Sequence, residues 1–370
     1  MAKRNVTYQD IARYTGFSKT TISRFFNRPE SVTPDHRKQI RDALDVLDYK
    51  SNKVARILAN GQTEFIGLIV PNLYLGFYAE LLNLFLNTYE KYGYKFIVFS
   101  GSSHEETERR YISELLSYKV EGLIVLSHTI PSIELASYGI PVVAVEREDR
   151  YISSVNTDNY SGAVQATELL YQCRCDICLH INSQDYDPQV PASARITGFT
   201  DVCERHGMDC RILPYTLGNS YDDLQTKVET IVEDIIASYP GKRKGIFCSN
   251  DTTAGIVLNH ILRKYGHLPD EFKIIGFDGS PAARQAVVPI STVAQQTDKL
   301  VESAMELLVR QISEYTTGAS AQRTASEGNG ENTENAVKEG NTVNGGDAFS
   351  PKPEHRIIPP ILMPRGTSRP

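Results

Sequence analysis

The stretch GFSKTTISRFFN, Gly16 to Asn27, holds the first side chains whose types and spacing define a chemistry. On a helix running from Lys19 to Asn27, Ile22, Phe25 and Phe26 fall at i, i+3 and i+4 and face inward. Lys19, Thr20, Ser23 and Arg24 fall on the opposite face. An arginine there can bond guanine in a bidentate manner, a lysine can reach a base edge or a phosphate, and the hydroxyls can do either. This is chemistry for reading double-stranded DNA.

Other reactive residue types lack the spacing that catalysis or metal binding needs. Cys173, Cys175 and Cys178 form C-x-C-x-x-C, but no second close pair and no histidine follows at zinc-site spacing. Cys203, Cys210 and Cys248 are scattered, so buried or incidental reduced thiols are expected, with no metal and no cofactor. The histidines at 104, 128, 180, 206, 260 and 267 are also scattered. No Ser-His-Asp set, paired carboxylates, P-loop or G-x-G-x-x-G accompanies them, and no enzyme is expected. A different pattern does recur. Asn72, Ser127, Glu146, Asn182, Asn250 and Asp278 each close an apolar run, at the carboxyl ends where open parallel sheets bind ligands.

Particular elements must position these groups. Thr7, with Asp10 three residues on, is set to cap a first helix, and Gly16 permits a left-handed turn. Ser18 caps the second helix; Thr33 with Pro34 starts a third that buries Ile40, Leu44 and Leu47. Two helices around a glycine turn, braced by a third, predict an all-α helix-turn-helix domain over residues 1–50. Residues 51–61, SNKVARILANG, follow as a hinge helix with Val54, Ala55 and Leu58 on one stripe. So short a helix needs support to form. From residue 62, runs such as FIGLIVPN, VEGLIVLS and KIIGFD alternate with helical stretches (79–92, 105–118, 161–172, 222–238 and 252–265). Continuous apolar strands alternating with helices predict parallel sheets covered on both faces.

The chain has 370 residues, 41% hydrophobic and 23% charged, which fits two or three globular domains. Its charge is uneven. Residues 1–60 carry 12 Lys+Arg against 6 Asp+Glu, while the whole chain is at −6. A basic head on an acidic body suits an anionic partner held at one end. No window approaches 18 apolar residues and the first ten residues lack an apolar core, so no membrane partner and a cytoplasmic location are expected.

VTYQDIARYTGFSKTTISRFFN followed by SNKVARILANGQTEFIGLIVPN resembles the lactose-repressor (LacI/GalR) family of bacterial transcription regulators, and the resemblance covers essentially the whole chain. It implies operator reading by Lys19, Thr20 and Arg24, with Thr7, Ser18, Ser23 and Asn27 also at the DNA. It implies a hinge in which Asn52, Ala55 and Leu58 meet DNA, Leu58 prying open a base step in the minor groove. Ser51 stands where the family usually has proline.

For residues 62–370 the resemblance implies a periplasmic-binding-protein-like effector domain of two doubly wound subdomains. The first takes about 62–158, 292–317 and part of 355–370; the second takes about 162–289. Crossovers are expected near 157–162, 289–292 and the chain's end. SSVNTDNYSGA places Asp158 at the cleft, ARITGF places Arg195, and CSNDTTAG and IIGFDGS supply Asn250 and Asp278. Phe77, Arg147 and Tyr215 complete the expected effector set. Carboxylates, amide and guanidinium beside an aromatic suit a sugar or sugar phosphate. A purine or a phosphorylated partner protein is the alternative, and a transport-type solute receptor without DNA control is the alternative of a different class. The reading is a homodimeric repressor of a carbohydrate-utilisation operon on a palindromic operator. Residues 318–354, rich in Gly, Asn, Glu and Ser, are expected to be a disordered insertion.

Overall fold

The computed structural model describes residues 6–49, 62–101, 104–147, 150–183, 190–216, 220–327 and 352–369. The chain divides into two units, residues 1–63 and 64–370.

Among the described residues of the first unit three α-helices form: Tyr8–Thr15, Lys19–Asn27 and Pro34–Val46. Thr7 and Asp10 close a reciprocal capping box, the Thr7 amide donating to Asp10 Oδ2 at 2.9 Å. Gly16 takes φ 75° and ends the first helix. Two residues later Ser18 Oγ accepts from the Thr21 amide at 3.0 Å and starts the second. Caps of this kind contribute about 1 kcal/mol each. The core is Ile11, Ile22 and Ile40, all fully buried, with Phe25, Phe26, Leu44 and Leu47 packed half-buried around them. Tyr8 stacks on Phe26 at 4.9 Å and ties the first helix to the second.

Among the described residues the second unit holds twelve strands in two six-stranded sheets. The first sheet contains β1 (Phe65–Val70), β2 (Lys95–Ser100), β3 (Gly122–Val125), β4 (Val142–Val145), β5 (Ser153–Thr157) and β11 (His355–Ile358), in the order β11-β5-β4-β3-β1-β2. The second contains β6 (Ile177–Asn182), β7 (Cys210–Pro214), β8 (Lys244–Cys248), β9 (Phe272–Asp278), β10 (Ser291–Ala294) and β12 (Ile361–Met363), in the order β12-β10-β9-β8-β6-β7. Every pairing is parallel except β10 with β12. Helices cover both faces of each sheet. Gly76–Asn87 and Thr297–Glu327 bury Leu81, Phe85, Leu300 and Leu308 on one face of the first sheet; Glu105–Ser117 buries Ile112 and Leu115 on the other.

The chain passes between subdomains after β5, after β10 and between β11 and β12. The second passage corrects the expectation of 289–292. Ser291–Ala294 belongs to the second sheet, paired with Ile275–Asp278, so the crossover follows Ala294. Thr367 fixes this arrangement, its Oγ accepting from the Ser291 amide at 3.0 Å and donating to the Ile274 carbonyl at 2.6 Å. The start of the expected disordered insertion is corrected as well. The helix from Thr297 runs to Glu327, into the 318–354 stretch, because its packed first turns supply a nucleus that Ala, Gln, Arg and Glu can extend. Its end lies earlier than expected too: Glu354 pairs with Arg310 at 2.5 Å and its amide donates to Ser153 Oγ at 3.0 Å. Residues 328–351 of that stretch lie outside the described residues.

Candidate functional site

Two groups of residues have functional geometry, one in each unit. In the head, Lys19, Thr20 and Arg24 are exposed, while Ile22 behind them is fully buried. Ser18 and Thr7 are exposed cap residues, Ser23 is half-buried, and Asn27 is the last residue of the second helix. An exposed basic and hydroxyl face is thus backed by a fixed apolar one. The hinge residues Asn52, Ala55 and Leu58 lie outside the described residues.

In the body, a cavity of about 250 Å³ opens between the subdomains at the carboxyl ends of the strands. Asn72 after β1 and Glu146 after β4 line it from the first sheet. Ser249 and Asn250 after β8, Asp278 at the end of β9 and Gln295 after β10 line it from the second. Phe77 and Tyr78 enter from the start of helix Gly76–Asn87, their rings edge-on at 5.4 Å. Arg195 enters from the first turn of helix Ala194–His206.

Arg195 is held on three sides. Its Nε donates to Asn159 Oδ1 at 2.7 Å, Nη1 donates to the Ser249 carbonyl at 2.5 Å, and its Cζ lies 3.6 Å from the Phe277 ring centre. Burial lowers its pKa, against the charges of Asp278 and Glu146. Its position depends on Gly198 one turn on, where a Cβ would stand 2.6 Å from the Tyr160 carbonyl oxygen. That close helix contact accounts for the glycine in ARITGF.

Asp278 Oδ1 accepts from Gln295 Nε2 at 2.8 Å. Burial raises its pKa well above the carboxylate range, and the Asp251 charge adds to the rise while Arg195 opposes it. Its φ of 114° is unusual for a residue with a side chain and is followed by Gly279 at 73°, a backbone cost of the kind found at ligand sites. Tyr78 is raised too, first by burial and then by Asp278 and Glu146. Asn250 has a double duty: its Oδ1 caps helix Asp251–Tyr265 by accepting from Thr253 at 2.8 Å, while the residue also lines the cavity.

Phe77, Arg195, Asn250 and Asp278 of the expected effector set therefore meet at one cavity; three others do not line it. Asp158 caps helix Asn159–Gln172, accepting from the Ser161 amide at 3.0 Å, because a helix that starts straight after β5 needs an acceptor for its first amides. Its neighbour Asn159 reaches Arg195 and Glu146 in its place. Arg147 is buried and donates to the Ser127 and Ile130 carbonyls, bracing the loop that brings His128 and Thr129 to the cavity. Tyr215 lies in the core of the second subdomain, its hydroxyl bonded to Thr253 Oγ1 at 2.8 Å. The strand-end pattern had already marked Asn72 and Glu146, although neither was named in the effector set; Ser249, beside Asn250 after β8, was missed. Gln295 had no sequence signal, because its place depends on where the chain crosses between sheets.

Among the described residues no helix is long and apolar enough to cross a membrane, and no group of three His, Cys, Asp or Glu could hold a metal ion. A helix-turn-helix head with an exposed basic and hydroxyl face, joined to a two-subdomain body with a cleft, has the build of a DNA-binding transcription regulator. Comparison with known proteins agrees. Residues 66–316 match the periplasmic binding protein domain family, and residues 7–52 match "Bacterial regulatory proteins, lacI family". The chain belongs to the lacI family of regulators and carries its periplasmic-binding-protein-type body. It is 28% identical to the ribose operon repressor of Halalkalibacterium halodurans over 312 residues, 83% of this chain and 90% of the relative. It is 28% identical to the sucrose operon repressor of Streptococcus mutans over 304 residues, 82% of this chain and 92% of the relative. Its fold matches the lac repressor dimer bound to operator and the anti-inducer ONPF, with a TM-score of 0.74 at 18% identity, covering 99% of each chain.

Proposed function

We propose that this chain represses a carbohydrate-utilisation operon, binding a palindromic operator as a homodimer and taking a monosaccharide-sized sugar between its subdomains. The observation that carries the effector reading is the convergence of Asp278, Arg195 and Asn250 with Phe77 and Tyr78 on a 250 Å³ cavity. Sugars present many hydroxyls, each donor and acceptor, and one apolar face. Carboxylate and amide oxygens accept from the hydroxyls, guanidinium and amide nitrogens donate to them, and an aromatic edge covers the apolar face. A small cavity at the lower end of ligand-site volumes favours one ring over two. The ribose and sucrose operon repressors among the relatives support the carbohydrate class.

In the head, Arg24, Lys19, Thr20 and Ser23 read base edges in the major groove, while Thr7, Ser18 and Asn27 fix the register on phosphates. Asn52, Ala55 and Leu58 act in the minor groove, Leu58 as an apolar wedge. Sugar binding changes the balance between two arrangements of the subdomains; moving it from 1:99 to 99:1 takes about 5.5 kcal/mol of differential affinity.

Thermal unfolding of the full chain with pentoses, hexoses, disaccharides, sugar phosphates and purines tests the effector class. A pentose or hexose is expected to raise the midpoint, and Asp278→Asn is expected to remove that rise while DNA binding persists. Stabilisation by purines alone, or by no carbohydrate, rejects the reading.

A further inference from the structure

All six cysteines lie in the second subdomain, and five of them (Cys248 apart) gather away from the effector cavity. Cys178 on β6 stands beside Cys210 on β7 in the parallel register. Cys203 comes from the last turns of helix Ala194–His206, and Cys175 from the turn before β6. Cys178 also stands beside Gly245 of β8, the same glycine that Cys175 Sγ lies against, and Cys178 and Cys203 share one buried core with Cys175 and Cys210 packed on it. The inner pair, Cys178 and Cys203, is fully buried, whereas Cys175 and Cys210 are half-buried. Cys175 also forms part of the wall of a surface cavity of about 480 Å³, with Arg174, Met208 and Asp209. Gly245 makes room for its sulfur, since a Cβ there would stand 2.9 Å from Cys175 Sγ.

We propose that Cys175 and Cys178 are a redox-active dithiol: Cys175 reacts with a hydroperoxide entering this cavity, and Cys178 resolves the product to a disulfide. An accessible thiol backed by a buried partner at C-x-x-C spacing is the arrangement of redox-sensing cysteines. The Cys175 thiolate attacks the peroxide, the O–O bond breaks, and the sulfur is oxidised to sulfenic acid as the peroxide is reduced to alcohol or water. The Cys178 sulfur then attacks Cys175 Sγ. The S–O bond breaks, hydroxide leaves with the Cys178 proton as water, and the S–S bond forms. The electrostatics favour this direction. The neighbouring Cys178 holds the Cys175 thiol below its usual pKa, Arg243 and Lys273 add to the effect, and burial opposes it. Cys178 is pushed up and stays protonated until it resolves.

The test treats the reduced full-length protein with hydrogen peroxide, alkylates the remaining thiols and maps the peptides by mass spectrometry. The expected product is a dithiothreitol-reversible bridge within the peptide carrying both residues, making it about 2 Da lighter than its dithiol form. In the untreated protein, Cys175 is expected to be alkylated at least roughly tenfold faster than fully buried Cys248. In Cys178→Ser, dimedone is expected to capture a sulfenic acid at Cys175; if that variant does not fold, the native map decides alone. Survival of all six thiols, a bridge between another pair, or oxidation of Cys175 without a bridge overturns the proposal.

Discussion

Arg24 and His180 show how much a single side chain can decide. Arg24 is exposed on a helix whose inner face is pinned by Ile22. Removing its guanidinium should therefore leave the fold intact and cost binding alone. Arg24→Ala is expected to weaken operator binding by about 1–3 kcal/mol, with the loss concentrated at one base pair. Equal weakening on every sequence, measured by gel shift on a set of mutated operators, would make it a phosphate contact only. His180 is fully buried, its Nδ1 bonded to the Phe247 carbonyl at 3.0 Å and its Nε2 without a partner. Burial lowers its pKa to about 4, with the Arg195 charge acting in the same sense. A depressed histidine gives stability that is full above the unfolded value of 6.5 and lost as pH falls toward 4. Urea midpoints at pH 7 and pH 5 should thus differ more for the native chain than for His180→Gln, at up to about 1.4 kcal/mol per pH unit. Equal differences would show that His180 does not carry the acid sensitivity.

Among the elements, the pair of helices Asn159–Gln172 and Ala194–His206 matters most, because both deliver residues to Arg195's surroundings. Their contact is close enough that Gly198 has no room for a methyl group. Gly198→Ala must push the helices apart or tilt one of them, and overpacking of this kind costs about 1–3 kcal/mol. We expect a lower thermal midpoint and a sugar affinity reduced beyond what a distant destabilising substitution causes, since Arg195 moves with its helix. A shifted midpoint with unchanged affinity, by calorimetry, would place Gly198 outside the control of the site. Glycine appears for a similar reason at Gly276, where a Cβ would meet Asp251 Oδ1 at 2.2 Å.

At the scale of the whole molecule, charge is divided between a basic head and an acidic body, which suits an anionic partner held at the head. Phosphate contacts by several Lys and Arg release counterions, so operator affinity should fall on the order of 10³-fold between 50 and 200 mM salt. The effector sugar is expected to displace that whole curve in the native chain and not in Asp278→Asn. Retention of the same affinity for random DNA across the series would sink the operator-reading claim.

Local chemistry made the head legible. Ser18, Gly16 and Thr7 act within three residues of themselves, and the Ile22, Phe25 and Phe26 stripe needs only helical spacing. The alternating body was legible for the same reason, since apolar runs of strand length announce buried parallel sheets. The family motifs carried Arg195, Asn250 and Asp278 to the cavity. Tertiary structure decided what depends on partners distant in the chain. Asp158 became a cap because β5 feeds straight into a helix, and Tyr215 turned into the second core. Ser291–Ala294 joined the second sheet through Thr367, which lies 76 residues along the chain from Ser291, and so carried Gln295 to the cavity. The cysteines followed the same rule. Their spacing pointed only away from zinc-site chemistry, and the packing of β6, β7 and one helix brought Cys178, Cys203 and Cys210 together.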